Sequence, residues 1–110
     1  MPQLDVFTAL ANPVRRDILL KLRTGPLGVT ALARGFRQLG RPAVSEHLQV
    51  LRKARLVREE PRGRERWYHL DPRPLAELED WVASFDRFAR QRLAALEVVL
   101  AQEAERERDR

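Results

Sequence analysis

Apolar side chains recur along this chain at helical spacing in five places and alternate in one. Leu4, Phe7, Leu10 and Ala11 predict a short first helix, stopped at Asn12-Pro13 because proline restricts the residue before it. Asn12 is then a suitable N-cap and Pro13 a suitable first residue for a second helix over 13–24, with Val14, Ile18, Leu19 and Leu22 on one stripe and Gly25-Pro26 closing it. Arg15, Arg16, Lys21 and Arg23 fall on its opposite face and read as solvated charges. After a Gly25–Gly28 connection, Val29, Leu32, Ala33 and Phe36 fit one brief helix, with Thr30 near its start and Leu39-Gly40 as the break. Pro42 opens the fourth helix, whose Val44, Leu48 and Leu51 face a core, while Ser45, Glu46, Gln49 and Lys53 lie on the far side. Two short helices joined by a tight turn make a helix-turn-helix, in which the second helix enters the major groove of DNA.

From Leu56 the period changes. Val57 to Pro61 reads as a strand, Arg62-Gly63 as a turn, and Arg64 to Leu70 as the returning strand with Tyr68 and Leu70 on one face, which gives a hairpin with a basic tip. Asp71-Pro72-Arg73-Pro74 punctuates the chain, and a last helix is expected from Leu75 to about Glu103. Leu75, Leu78, Val82, Phe85, Ala89, Leu96 and Val99 keep a three-four spacing there, widened by Trp81, Phe88, Leu93 and Leu100. Such a helix is roughly 40 Å long, more than so small a domain covers from inside, so much of the stripe needs a partner chain. Glu105 to Arg110 alternates in charge and is expected to fray, which leaves 1–104 as the single domain.

Composition narrows the function. The chain lacks cysteine, so disulfides, thiolate metal sites and thiol redox sensing are excluded. It has no run of the ~20 apolar residues that a membrane span needs, and its first residues lack the basic and apolar regions of a signal peptide, so the cytoplasm is the expected compartment. The net charge of +5 is unevenly spread: residues 1–33 carry +2, residues 34–73 carry +6 and residues 74–110 carry −3. A basic middle suits a phosphate-binding face. A Gly-rich phosphate loop, a cysteine nucleophile and any recognised Ser-His-carboxylate spacing are all missing, so an enzyme is not expected.

The runs Phe7-Thr-Ala-Leu-Ala-Asn-Pro-Val-Arg-Arg-Asp-Ile-Leu, Arg41-Pro-Ala-Val-Ser-Glu-His-Leu-Gln-Val-Leu-Arg-Lys-Ala-Arg-Leu-Val and Gly63-Arg-Glu-Arg-Trp-Tyr-His-Leu-Asp-Pro, in that order, resemble the ArsR/SmtB family of bacterial repressors. The resemblance spans about Leu4 to Leu100. It implies a mainly α winged helix-turn-helix with a small β-hairpin, in the order α-α-α-α-β-β-α, which binds an imperfect palindrome as a homodimer paired through its first and last helices. By position it makes Arg41, Pro42, Ser45, Glu46, His47 and Gln49 the groove-facing candidates and Arg62, Gly63 and Arg64 the wing. Thr30, Arg37, Gln38 and Arg52 join them as DNA contacts, with Arg37, Arg52, Arg62 and Arg64 on phosphates. Leu4, Phe7, Leu78, Trp81, Val82, Phe85, Phe88, Leu93 and Leu96 are the matching dimer contacts.

Two positions depart from the family pattern: Gly40 stands where many members have a serine cap, and Glu46 where many have a basic residue. Glu46 has two readings, an acceptor for cytosine N4 or an ion-pair partner of Arg52 or Lys53. His47 likewise has two, DNA contact or packing. His69, beside Trp67, reads as surface or dimer packing, and the Trp81, Phe85, Phe88 cluster as a core and dimer seam. Family metal sensors carry Cys-x-Cys in the third helix or Asp and His along the last. Here Val29 to Phe36 has no cysteine and the last helix has no histidine, so no metal or other cofactor is expected. A constitutive autorepressor and a sensor of an unidentified small-molecule effector both remain open. The rival class is a protein-protein adaptor that kept the fold and lost DNA affinity, which Glu46 favours and Arg41, Arg62 and Arg64 oppose.

Overall fold

The computed structural model describes residues 4–109, in two units that divide at Leu78–Glu79. In the first unit, α1 (Val6–Leu10) starts where the Asp5 carboxylate accepts the Phe7 N–H at 2.7 Å. The next helix, α2 (Pro13–Lys21), begins as the sequence predicts: Asn12 Oδ1 accepts the N–H groups of Val14 and Arg15 at 2.9 and 3.2 Å, and Pro13 sits where no N–H is required. Its end tightens into a 3₁₀ turn over Leu22–Thr24. Arg15 and Arg16 are not merely solvated charges. Arg15 Nε donates to the Ala9 carbonyl at 2.7 Å, its Nη2 to Thr8 at 3.2 Å, and Arg16 Nη1 to Leu10 at 2.7 Å. The Ala9 and Leu10 carbonyls at the C-terminus of so short a helix thereby find partners on α2, and Thr8, which already accepts the Ala11 N–H at 3.2 Å, takes a second donor.

Helix α3 (Val29–Arg34) and helix α4 (Arg41–Lys53) form the helix-turn-helix. Phe36 lies beyond the end of α3 rather than within it, because the backbone turns at Gly35, yet it still packs against the core. The chain leaves α4 through a left-handed residue, Arg55 at φ 62°. The Arg55 N–H reaches the Arg52 carbonyl at 2.9 Å and the Leu56 N–H reaches Leu51 at 3.0 Å, while Leu51 and Leu56 are both fully buried. These are the two bonds and the apolar contact of a Schellman ending, with arginine where glycine is usual.

Strands β2 (Val57–Arg62) and β3 (Glu65–Leu70) make the expected hairpin, but a third strand joins them. This strand, β1 (Leu27–Gly28), pairs antiparallel with β3, giving the order β1-β3-β2. Two residues are too few to show alternation, so the Gly25–Gly28 segment read as a plain connection. The turn also shifts by one residue. Arg62 pairs with Glu65, so Gly63-Arg64 is the two-residue loop, and only Gly63 has a left-handed φ, 60°. Glycine alone at the first turn position matches a type II′ hairpin, which Arg62-Gly63 would not have satisfied.

Most of the core is made by the stripes the pattern picks out, and Leu56, where the period changes, joins it. Ile18, Leu32, Val44, Leu48, Leu51 and Leu56 are fully buried, with Val57 and Tyr68 contributed by the hairpin's inner face. In the second unit the chain continues as one helix, part of α5 (Leu75–Arg108). That helix runs past the expected end near Glu103, and the Asp109 N–H still reaches the Glu105 carbonyl at 3.1 Å. Glu and Arg are strong helix formers, and Glu105 and Arg108 stand at the i,i+3 spacing that favours opposite charges. No residue of α5 is buried.

Candidate nucleic-acid interface

The buried stripe of α4 leaves its other side outward. Arg41, Pro42 and Glu46 are exposed, while Ser45, His47 and Gln49 are half-buried. Arg37 and Gln38, in the turn between α3 and α4, are exposed as well. Gly40 precedes α4 without a side-chain cap. Glu46 makes no ion pair among the described residues, so the pairing with Arg52 or Lys53 does not form. His47 takes a structural contact, its Nδ1 lying 3.4 Å from Arg15 Nη1.

Gln49 and Arg52 are tied to the wing. Arg52 Nε donates to Gln49 Oε1 at 3.1 Å and lies 3.7 Å from Glu59 Oε1 on β2. Arg66 Nη1 donates to the same Glu59 oxygen at 3.0 Å, and the Tyr68 hydroxyl donates to Glu59 Oε2 at 3.4 Å. An arginine Nε–H can only donate, which fixes the nearer Gln49 atom as oxygen and turns its amide nitrogen towards Tyr68. Burial, and after it the Glu59 carboxylate, raise the Tyr68 hydroxyl pKa, whereas the hydrogen bond from Gln49 acts the other way.

On the opposite face of the hairpin, Arg62 does not extend into solvent alone. Its guanidinium sits 4.2 Å from the Trp67 ring centroid and its Nε donates to Glu60 at 3.0 Å. Glu60 also bonds His69 Nε2, so His69 is a partner within the wing, a contact that its reading as surface or dimer packing did not include. Both contacts hold the Glu60 carboxyl below its ordinary pKa, Arg62 more than His69. Arg64, at the loop, is exposed. Thr30 is placed differently from a simple DNA contact: its backbone N–H donates to Glu65 Oε1 at 2.8 Å, across from the start of β3. That bond lowers the Glu65 pKa, and the charges of Arg41 and Arg34 add to it.

The proposed dimer residues fall into two groups. Leu4 and Phe7 are half-buried against the core, and Leu78 is half-buried. Trp81, Val82, Phe85, Phe88, Leu93 and Leu96 are between 52% and 60% exposed. Trp81 and Phe85 meet edge to face at 4.8 Å between centroids. No group of three or more metal-ligating side chains is gathered among the described residues, and no helix there is long and apolar enough to cross a membrane. Sequence reasoning missed the carboxylates Glu59, Glu60 and Glu65 and the capping role of Arg15. The strand register would have exposed the first of these, since it sets Glu59 opposite Tyr68.

A helix-turn-helix domain model matches residues 10–60. The HTH-type transcriptional regulator Rv2034 of Mycobacterium tuberculosis is 50% identical over 80 residues, covering 73% of this chain and 71% of that protein. The transcriptional repressor SdpR of Bacillus subtilis is 30% identical over 81 residues, covering 74% and 89%. The crystal structure of the ArsR family transcriptional regulator RHA00566 superposes with a TM-score of 0.70 at 31% identity, covering 76% and 86%. The chain belongs to the ArsR family. It is a DNA-binding transcriptional regulator with the winged helix-turn-helix fold of that family. In ArsR-family terms α3 and α4 are the helix-turn-helix and the β2–β3 hairpin is the wing.

Proposed function

We propose that the protein is a homodimeric repressor that binds an imperfect palindrome, laying α4 of each protomer in the major groove and the wing against the backbone. The observation that carries this reading is the division of α4 between a buried stripe, Val44, Leu48 and Leu51, and an outward side that begins with the exposed Arg41. Arg37, Arg52, Arg62 and Arg64 supply phosphate contacts, whose counterion release gives affinity, while Arg41 and Ser45 supply sequence preference. Pairing is assigned to α1 and α5. The exposed apolar residues from Trp81 to Leu96 support it, because a contiguous apolar surface of that size is rarely left in water. Two recognition helices so paired stand about one turn of DNA apart, ~34 Å.

Regulation is assigned to a route other than the family's metal sites, since α3 has no cysteine and α5 no histidine. The test is a gel shift on DNA from immediately upstream of the protein's own gene, with excess non-specific competitor and with added zinc or cadmium. A competitor-resistant shift that metal leaves unchanged is expected. Release of DNA at micromolar metal overturns the metal-independent reading, and failure to shift any promoter DNA moves the assignment to a protein-protein adaptor.

A further inference from the structure

We propose that Glu59, a wing-strand residue, positions Arg52 for sequence-specific DNA binding by bridging side chains of β2, β3 and α4. The inference rests on the reading of α4 as the groove-facing helix. The cluster is centred on Glu59, which takes the Tyr68 hydroxyl at 3.4 Å and lies 3.7 Å from Arg52 Nε, itself 3.1 Å from Gln49 Oε1. Its hub is sheltered, for the Glu59 side chain is 19% exposed, while Arg52 at the rim is 47% exposed.

A guanidinium is planar, so engaging Nε fixes the whole fork. Arg52 Nη1 and Nη2 have no hydrogen-bond partner among the described residues, which leaves two parallel donors on a fixed plane, the geometry that clamps a phosphate bidentately. A phosphate contact sets the register in which a recognition helix meets base edges. Glu59 thus acts on recognition without touching DNA. Gln49, whose amide oxygen takes the Arg52 Nε–H, acts as a spacer that aims Arg52 and is not itself a base reader. Arg66, 3.0 Å from the Glu59 carboxylate, balances the charge on the hub.

This arrangement predicts a sign that simple electrostatics does not. Removing a carboxylate from a DNA-facing surface strengthens binding to every duplex when charge is all that matters. Here Glu59→Gln weakens the specific complex and leaves the non-specific one unchanged or tighter. The experiment selects preferred duplexes for the wild-type protein from a random-sequence library. It then measures Kd for a selected and an unrelated duplex with wild type, Glu59→Gln, Tyr68→Phe, Gln49→Ala, Arg52→Ala and the Glu59→Gln/Arg52→Ala pair, alongside thermal unfolding. Glu59→Gln is expected to lose about tenfold on the selected duplex, with no further loss in the Arg52→Ala background. Tyr68→Phe removes the hydroxyl that donates to Glu59 without changing charge and is expected to move the same way, so it carries the test if Glu59→Gln does not fold. Gln49→Ala is expected to weaken binding while the same sequence stays preferred. Tighter binding of Glu59→Gln to both duplexes, additive losses in the pair, or a changed preference at one base pair in Gln49→Ala overturns the proposal. A folded wild-type protein that selects no sequence overturns the groove-facing reading of α4, and this inference with it.

Discussion

The Glu65 carboxylate receives the backbone N–H of Thr30 at 2.8 Å, so a residue of the wing caps the first helix of the helix-turn-helix. The N-cap position of α3 is Gly28, which has no side chain to do this, and a Cβ there would lie 2.8 Å from the Glu65 carboxyl carbon. Gly28 therefore leaves the space that Glu65 fills, and the same pair joins β1 to the wing. Gly28→Ala is expected to push Glu65 off Thr30, so Gly28→Ala and Glu65→Ala should each lower the melting temperature and their combination should lower it little further. Additive losses in thermal unfolding would break the link between them.

Arg55 holds a left-handed backbone that an L side chain adopts at a cost. Arg55→Gly removes that cost and gives back part of it as extra freedom in the unfolded chain. A net gain of about 0.5–1 kcal/mol is expected in denaturant unfolding. A loss would mean that the arginine side chain contributes more than the backbone strain.

Asp71 has its carboxyl lowered to a pKa of about 2, first by the side-chain hydrogen bonds from Arg73 and then by the Arg73 backbone N–H. A depressed carboxylate stabilises the fold above its ordinary value of 3.8, and that contribution disappears as pH falls through about 2. The stability gap between wild type and Asp71→Asn is thus expected to be constant above pH 5 and to close between roughly pH 4 and 2. Melting curves across that range check it, and a gap that widens in acid would contradict the assignment.

On DNA, Arg64 and Gln49 are expected to fail differently. Arg64→Ala should weaken specific and non-specific duplexes about equally, and the salt dependence of binding should become shallower by one phosphate contact. Gln49→Ala should cut mainly the specific complex. Equal losses from both would remove the division of labour between wing and recognition helix.

Much of this fold is legible in one sequence because its strongest signals are periodic. The spacing of Val44, Leu48 and Leu51 identifies both the buried and the outward side of α4, and Asn12-Pro13 marks a helix start that needs no tertiary information. What the pattern does not carry is pairing at a distance. Arg15 caps α1 across a chain reversal, Glu65 caps α3 across 35 positions, and Glu59 meets Arg52 only once the hairpin register is known. The misplaced turn at Arg62-Gly63 hid that register, since moving a two-residue loop by one position shifts every cross-strand partner by two and would set Glu59 opposite Arg66 rather than Tyr68. His47 shows a different limit: its position at the edge of the buried stripe fits DNA contact and packing equally, and the contact with Arg15 is what weights it towards packing.

The most direct test of the account is a footprint on a duplex selected by the purified protein, read by hydroxyl-radical cleavage for the backbone and by guanine N7 methylation for the major groove. Two protected backbone patches centred about one helical turn apart, ~34 Å, are expected, with N7 protection in the major groove of each. Stable binding with one protected patch would contradict the paired protomers, and protection without any shielded N7 would contradict α4 as the groove-facing helix.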